Sequence, residues 1–529
     1  MRRTRLFLPL ILCFFGVAQL CAESPKALSR RISQVLAAPE LQQGFWGIEA
    51  VSLSTGKVLY AQNSTKLFTP ASNAKLFTTA AAFALIGPDY RFRTTVETNG
   101  TLDTHGRLTG DLVLVGRGDP NLSGRELPYD LHTERNDHPI QVLQQLADTL
   151  VQKGVKYVDG DIIADDSYYA FERYGEGWSQ DDLVWSDGAP VSALTINDNV
   201  VFLNVQPADR AGEKAFVGIV PSADYYRVDN RILTTPAGTE RKIFINREPG
   251  STVVTLWGNI PIGDPGASEG IAIDDPAQYA ATLFRQLLEA RGIVIYGKDR
   301  TRHTELASLN TFRVISRASA NGGEGAREVD NQPLVLASYE SQPLLEDITV
   351  INKVSQNLHA ELLLRLLGKE KGTAGTIEGG LEVERGFLNS FGILGTQYAF
   401  YDGSGLSRED LVTPDAIVQL LRYVSTQPWG KLFHDTLPVG GVDGSLAHRF
   451  QDFDPRAHVY AKTGSLTGVK TLSGYITTVT GKQIAFSILT NNLNLPAIQV
   501  DEAIDAIVEQ LANDENGKKS ARKKLAKKK

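Results

Sequence analysis

A serine and a lysine three residues apart, Ser72 and Lys75, are the first residues in this chain whose types and spacing suggest a reaction. They lie in Thr69-Pro-Ala-Ser72-Asn-Ala-Lys75, a proline-led turn that runs into the Ala-, Leu- and Phe-rich stretch Asn73 to Leu85 and stops at Gly87-Pro88. Proline suits a helix start and disfavours helix before itself, so Ser72 is expected at or inside the first turn. Positions three apart share a helix face, which sets the amine beside the hydroxyl. An amine desolvated against apolar neighbours loses its proton near neutrality and can take one from the hydroxyl, making a nucleophile. The helix N-terminus favours the developing negative charge. Alone, the same residues also describe a capping serine followed by a solvated lysine, so the reading depends on partners.

Acyl transfer to a serine further requires a proton route to the leaving group and donors for an oxyanion. Two later stretches offer them. Ser355-Gln356-Asn357 falls in a break between two apolar-faced helices, Leu344 to Val354 and Asn357 to Leu367, where a hydroxyl and an amide two residues apart can point the same way. Lys462-Thr463-Gly464-Ser465 ends a strand beginning at His458, with a cation and hydroxyl suited to a carboxylate and a glycine that lets a substrate backbone lie close. Each stretch by itself reads equally as a turn.

In this order the three boxes match the Ser-x-x-Lys, Ser-Asp-Asn and Lys-Thr-Gly signature of penicillin-binding proteins and class A β-lactamases, with Gln356 at the variable position. The long separation of Lys75 from Ser355, and the shorter one to Lys462, resemble the low-molecular-mass class C penicillin-binding proteins, the D-alanyl-D-alanine carboxypeptidase/endopeptidase family. Gly116-Arg-Gly-Asp-Pro120, Gly188-Ala-Pro-Val-Ser-Ala193, Asp402-Gly-Ser-Gly-Leu-Ser-Arg408, Leu437-Pro-Val-Gly-Gly-Val-Asp-Gly-Ser-Leu446 and Tyr460 to Gly468 are similar to that family too. The three residues Arg117-Gly-Asp119 say too little to support an adhesion motif.

The resemblance implies a serine peptidase acting on peptidoglycan stem peptides and cross-links, with β-lactam antibiotics as covalent inhibitors and no cofactor. Ser72 is the implied nucleophile, Lys75 its base, Ser355 the proton relay and Asn357 the group orienting the substrate amide. Lys462 and Thr463 hold the substrate carboxylate, and the backbone N–H groups of Ser72 and Ser465 form the oxyanion hole beside Gly464. Asp165 and Arg408 are the implied pocket for a charged diamino-acid side chain, with Thr467 where some relatives carry a longer polar residue. A β-lactamase on the same scaffold would need a dedicated deacylating base, which no stretch near the boxes supplies. An inert wall-binding protein is disfavoured because every box residue is intact.

The elements that must position these residues fall into two textures. Alternation in Phe45 to Leu53 and Val58 to Ala61 predicts a β-hairpin before the Ser72 helix, and three strands at His458–Thr463, Lys470–Thr478 and Gln483–Thr490 precede a closing helix, Pro496 to Leu511. Between them, from Phe92 to about Gly297, short strands are broken by Gly, Asp and Asn and interrupted by helices at Pro139–Lys153 and Pro276–Arg291. The expected fold is an α/β, penicillin-binding transpeptidase-like (β-lactamase-like) domain made of residues 23–90 and 310–513, opened by a β-rich insertion, residues 91–309, of two nested subdomains.

At 529 residues and 42% hydrophobic the chain is globular and too long for one core. Residues 1–22 read as a secretory signal: Arg2, Arg3 and Arg5, the apolar run Leu6 to Val17, and cleavage after Ala22. A periplasmic or extracytoplasmic protein follows. Cys21 raises lipidation, but bulky Gln19-Leu20 precede it; Cys13 and Cys21 are the only cysteines, so the mature chain has no disulfide. Net charge is −7 although residues 514–529 form a basic tail with eight Lys and Arg, leaving an acidic body that should bind no nucleic acid. The tail is suited to weak contact with anionic envelope components or to solubility alone. The eight histidines form no ligand spacing, and His359 is expected to be a surface or packing residue.

Overall fold

The computed structural model describes residues 25–130, 133–135, 138–309 and 332–513. The expected signal peptide, Cys21 and the basic tail lie outside them. No helix among the described residues is long and apolar enough to cross a membrane.

The two ends of the chain build one sheet. Strands β1 (Phe45–Ser52) and β2 (Val58–Gln62) form the hairpin, and β3 (His458–Leu466), β4 (Val469–Thr477) and β5 (Gln483–Asn491) come from the far end. The order is β2-β1-β5-β4-β3, with all pairs antiparallel and β1 running from Phe45 opposite Asn491 to Ser52 opposite Ile484. Strand β5 is buried on both faces because helices cover both. Ile484, Phe486 and Ile488 face α1 (Pro25–Val35) and the terminal helix, Ala497–Ala512, whereas Ala485 and Leu489 face the catalytic side.

On that side lies α2 (Lys75–Leu85), preceded by a tight 3-10 turn, Ala71–Ala74, that carries Ser72. Every residue of α2 from Lys75 to Phe83 is buried. Around it pack α3 (Leu344–Lys353), α4 (Asn357–Lys371), α5 (Ile377–Ser390) and α6 (Pro414–Ser425), with Leu76, Phe77 and Phe83 in their shared core. Burying each such side chain contributes about 1.5–3 kcal/mol, which fixes the nucleophile's helix at the centre of the domain. Helix α5 is absent from the sequence expectations. Its Gly379-Gly380 pair weakens the helical signal, yet a Cβ on Gly380 would lie 2.2 Å from the Leu364 carbonyl of α4.

The intervening region holds a five-stranded sheet, ordered Asp299–Thr304, Ile162–Ala170, Leu112–Val115, Arg93–Thr98, Leu334–Glu340, and two larger three-stranded sheets. The strand Leu334–Glu340 pairs with Arg93–Thr98 although it lies past residue 309, where the insertion was expected to end. One apolar cluster, including Leu114, Ile162, Leu203, Leu256 and Phe284, runs through these sheets and the helix Pro276–Glu289.

Candidate active site

Ser72 sits just before α2, and Lys75 is the first residue of that helix. The Lys75 Nζ donates to Ser72 Oγ at 2.9 Å, to Asn357 Oδ1 at 2.6 Å and to the Ser404 carbonyl at 2.6 Å. Complete burial pushes the Lys75 ammonium down to about 8; the charges of Asp402, Glu361, Asp187 and Asp410 oppose that shift without cancelling it.

Ser355 lies between α3 and α4 in the left-handed region, φ 66°, a conformation that costs a non-glycine residue about 1–3 kcal/mol. Gln356 caps α4 by accepting from the Leu358 N–H at 2.7 Å. This turn aims both chemistry-bearing side chains inward. Ser355 Oγ accepts from Lys462 Nζ at 2.7 Å, and Asn357 Nδ2 donates to the Asp187 carbonyl at 2.9 Å.

Lys462 projects from β3, the edge strand of the sheet. Burial, with the charge of Lys75 adding to it, holds the Lys462 ammonium well below the ordinary lysine range. The segment Pro438–Gly440 covers the outer edge of β3 as far as Ala461: Gly440 N–H donates to the Val459 carbonyl and Ala461 N–H to the Pro438 carbonyl. Among the described residues no backbone hydrogen bond covers that edge from Thr463 to Ser465. Gly464 is required there because a Cβ would lie 2.2 Å from Thr471 Oγ1 and 3.0 Å from the Ser72 backbone nitrogen. Strand and nucleophile turn are also tied by Asn73 Nδ2 donating to the Lys462 carbonyl at 3.0 Å.

Ser72, Ser355, Asn357, Thr463, Gly464 and Ser465 line one cleft of about 580 Å³, together with Asp182, Asp187, Arg408 and Thr467, with Lys75 and Lys462 buried behind the two serines. Behind Lys75 lies the loop Asp402 to Asp410. Asp402 gathers it by accepting from the N–H groups of Gly405 at 2.6 Å and Ser407 at 2.7 Å, while Glu361 accepts from those of Gly403 and Ser404. The Ser404 carbonyl is thereby fixed against Lys75, and Arg408 is carried to the cleft.

All three boxes and Arg408 meet in the cleft as the sequence predicts, and Asp165 does not. It lies inside the strand Ile162–Ala170, and its carboxylate is occupied by Arg302 at 2.9 Å and by the N–H and hydroxyl of Ser167. Sequence reasoning missed the two acids that do line the cleft, Asp182 and Asp187; the run Gln180-Asp-Asp-Leu-Val184 carries no motif that singles them out. Of the two readings of His359, surface or packing, the structure has the buried one: it is fully buried, with Nδ1 2.7 Å from Asp347 and Nε2 3.2 Å from Asp198.

Residues 28–311 and 318–514 match the model of the D-Ala-D-Ala carboxypeptidase 3 (S13) family. The chain belongs to this family. It is accordingly a serine-type D-Ala-D-Ala carboxypeptidase. The S13 enzyme is 33% identical to the D-alanyl-D-alanine carboxypeptidase of Actinomadura sp. strain R39 over 490 residues, 90% of this chain and 83% of that one. It is 26% identical to the D-alanyl-D-alanine carboxypeptidase DacB of Haemophilus influenzae, over 83% and 84% of the two chains. The crystal structure of penicillin binding protein 4 (dacB) from Haemophilus influenzae superposes with a TM-score of 0.74 at 22% identity, covering 91% of the S13 enzyme and 99% of that chain, which establishes the shared penicillin-binding fold.

Proposed function

We propose that this S13 enzyme hydrolyses the terminal D-Ala-D-Ala bond of peptidoglycan stem peptides, and the D-amino-acid cross-links between them, through an acyl-serine. Ser72 Oγ attacks the carbonyl carbon of the penultimate D-alanine while neutral Lys75 takes the hydroxyl proton. The substrate backbone lies along the uncovered edge of β3, with its carboxylate on Thr463 and Lys462 and its amide oriented by Asn357. The developing oxyanion accepts from the Ser72 and Ser465 N–H groups at the helix N-terminus. Ser355 passes a proton from the lysine pair to the departing amine nitrogen as the C–N bond breaks. Water then hydrolyses the Ser72 ester. A β-lactam follows the same first step; its ring opens and its amine cannot leave, so the acyl-enzyme persists.

The observation that carries this reading is a pair of hydrogen-bonded runs, Ser72 Oγ to Lys75 Nζ to Asn357 and Ser355 Oγ to Lys462 Nζ, every link between 2.6 and 2.9 Å, whose Ser72, Ser355 and Asn357 line one cleft. Arg408 and Asp182 replace the expected pair of Arg408 and Asp165 as readers of the stem peptide's third side chain. They suit a diamino acid bearing both a carboxylate and an ammonium. The acidic body and secretory leader fit an extracytoplasmic site of action, with the basic tail available to anionic envelope polymers. We take residues 23–90 with 341–513 as the peptidase domain, and residues 91–309 together with the strand Leu334–Glu340 as its insertion.

The test is labelling with a fluorescent penicillin, wild type against Ser72→Ala, beside D-alanine release from a stem pentapeptide and cleavage of a cross-linked dimer. Loss of both labelling and release in Ser72→Ala is expected. Labelling that survives the substitution would refute the site, and labelling without release would point to a β-lactamase or an inert binding protein.

A further inference from the structure

The middle box is held from outside the peptidase domain. Asp198 belongs to the intervening region, and its carboxylate is fully buried. Asp198 Oδ2 accepts from Arg125 at 2.6 Å and from Gln356 Nε2 at 3.0 Å, while Oδ1 faces His359 Nε2 at 3.2 Å. Arg125 also comes from that region, and its side chain is only 4% exposed. The other nitrogen of His359 meets Asp347 of α3 at 2.7 Å. A carboxylate oxygen beside each ring nitrogen favours the imidazolium form of His359. Burial disfavours that charge, but the charges of Asp347 and Asp198 outweigh it and raise the His359 pKa. Arg125 and His359 thus face Asp198 and Asp347 in a buried cluster.

Strained backbone lies at or next to both partners of the Gln356–Asp198 contact. Asn197, Asp198 and Asn199 are three successive left-handed residues, with φ of 50°, 56° and 52°, and Ser355 precedes Gln356 at 66°. Such conformations persist only where surroundings over-determine them. The Asn197 and Asn199 side chains do so on one side: Asn199 accepts from the Ile196 N–H at 3.1 Å and donates to the Pro190 carbonyl at 2.8 Å, and Asn197 donates to the Val200 carbonyl at 2.8 Å. The bond to Pro190 ties this turn to the segment whose Asp187 carbonyl receives Asn357. On the other side Asp198 is held by Arg125, His359 and Gln356, of which Gln356 belongs to the middle box.

We infer that Asp198 is a positioning residue for the reaction: gripping Gln356, it fixes the turn that delivers Ser355 to Lys462 and Asn357 to Lys75. The intervening region is therefore part of the catalytic apparatus and not an appended module. This inference rests on the serine-peptidase reading above. It assigns a task to the second position of the Ser-x-Asn box, which touches no substrate.

The test uses the full-length enzyme with Gln356→Ser and Asp198→Ala. Serine keeps an acceptor that can cap α4 but cannot reach Asp198, so Gln356→Ser introduces no unpaired buried charge. Active sites are first counted by covalent penicillin titration, and acylation rate and peptide turnover are then expressed per titrated site. Displacing reacting groups by about 1 Å can cost roughly 100-fold in rate. Gln356→Ser is expected to lower the acylation rate and kcat about 10-fold per titrated site, with KM within about twofold and Tm within a few degrees of wild type; Asp198→Ala is expected to lose about 100-fold. Normal rates per titrated site, with only Tm or the active fraction reduced, would overturn the inference and leave Asp198 a structural residue. Failure of the serine-peptidase reading shows separately, as undiminished labelling of Ser72→Ala.

Discussion

In the proposed reaction Lys75 must be neutral to accept the Ser72 proton, and its burial sets how often it is. With a pKa near 8 the amine is about 9% neutral at pH 7, against about 0.03% at the ordinary value of 10.5. Burial thus multiplies the available base roughly 300-fold. The acylation rate with a chromogenic β-lactam, measured by stopped flow under single-turnover conditions, should rise about tenfold per pH unit up to about pH 8 and level off above it. Burial, with the charge of Lys75 adding to it, also lowers the Lys462 ammonium, so the limb belongs to the pair. Lys75→Met should cut the rate by about 10²- to 10⁴-fold and abolish the limb. The same substitution should raise stability. The folded-state pKa lies below the unfolded one, so the unfolded chain binds this proton more tightly, and the wild type gains stability as pH rises from about 8 to 10.5. Lys75→Met lacks that dependence, and its Tm advantage should be largest below pH 8 and shrink above it. A wild-type acylation rate flat from pH 6 to 9, or a limb that survives in Lys75→Met, would refute the base assignment.

Three other outcomes follow from the geometry. Gly464→Ala drives a methyl into Thr471 Oγ1 and the Ser72 turn, so penicillin labelling should fall by about 100-fold while circular dichroism stays near native. Arg408→Ala and Asp182→Asn should each lower kcat/KM for a diamino-acid stem peptide about 10- to 100-fold, yet leave acylation by a small penicillin within a few-fold, because the penicillin lacks that side chain. Asp410→Asn should gain Tm relative to wild type as pH rises: burial, chiefly, holds this carboxyl well above its ordinary pKa, so ionising it costs the folded enzyme stability that the amide does not lose.

The chain's linear order determined the reaction and the broad fold. Ser72 and Lys75 are neighbours on one turn, so local helix geometry alone places the amine at the hydroxyl, 2.9 Å away. Period-two alternation gave β1 and β2, and the Pro414 and Gln356 starts marked helices at their observed positions. What spacing could not supply is which distant side chain faces which. Asp165 and Asp182 are both acids whose sequence neighbourhoods do not say what they face; only the path of the chain turns one toward Arg302 and the other into the cleft with Arg408. Helix α5 escaped because Gly379 and Gly380 oppose helix locally, while the close approach of α4 demands them. His359 reads as one more apolar-face histidine until Asp347 and Asp198 close on it from two elements, one of them in the intervening region. Charge pairing across such sequence separations is decided by packing, because a buried charge tolerates only the geometry in which its partner is already present.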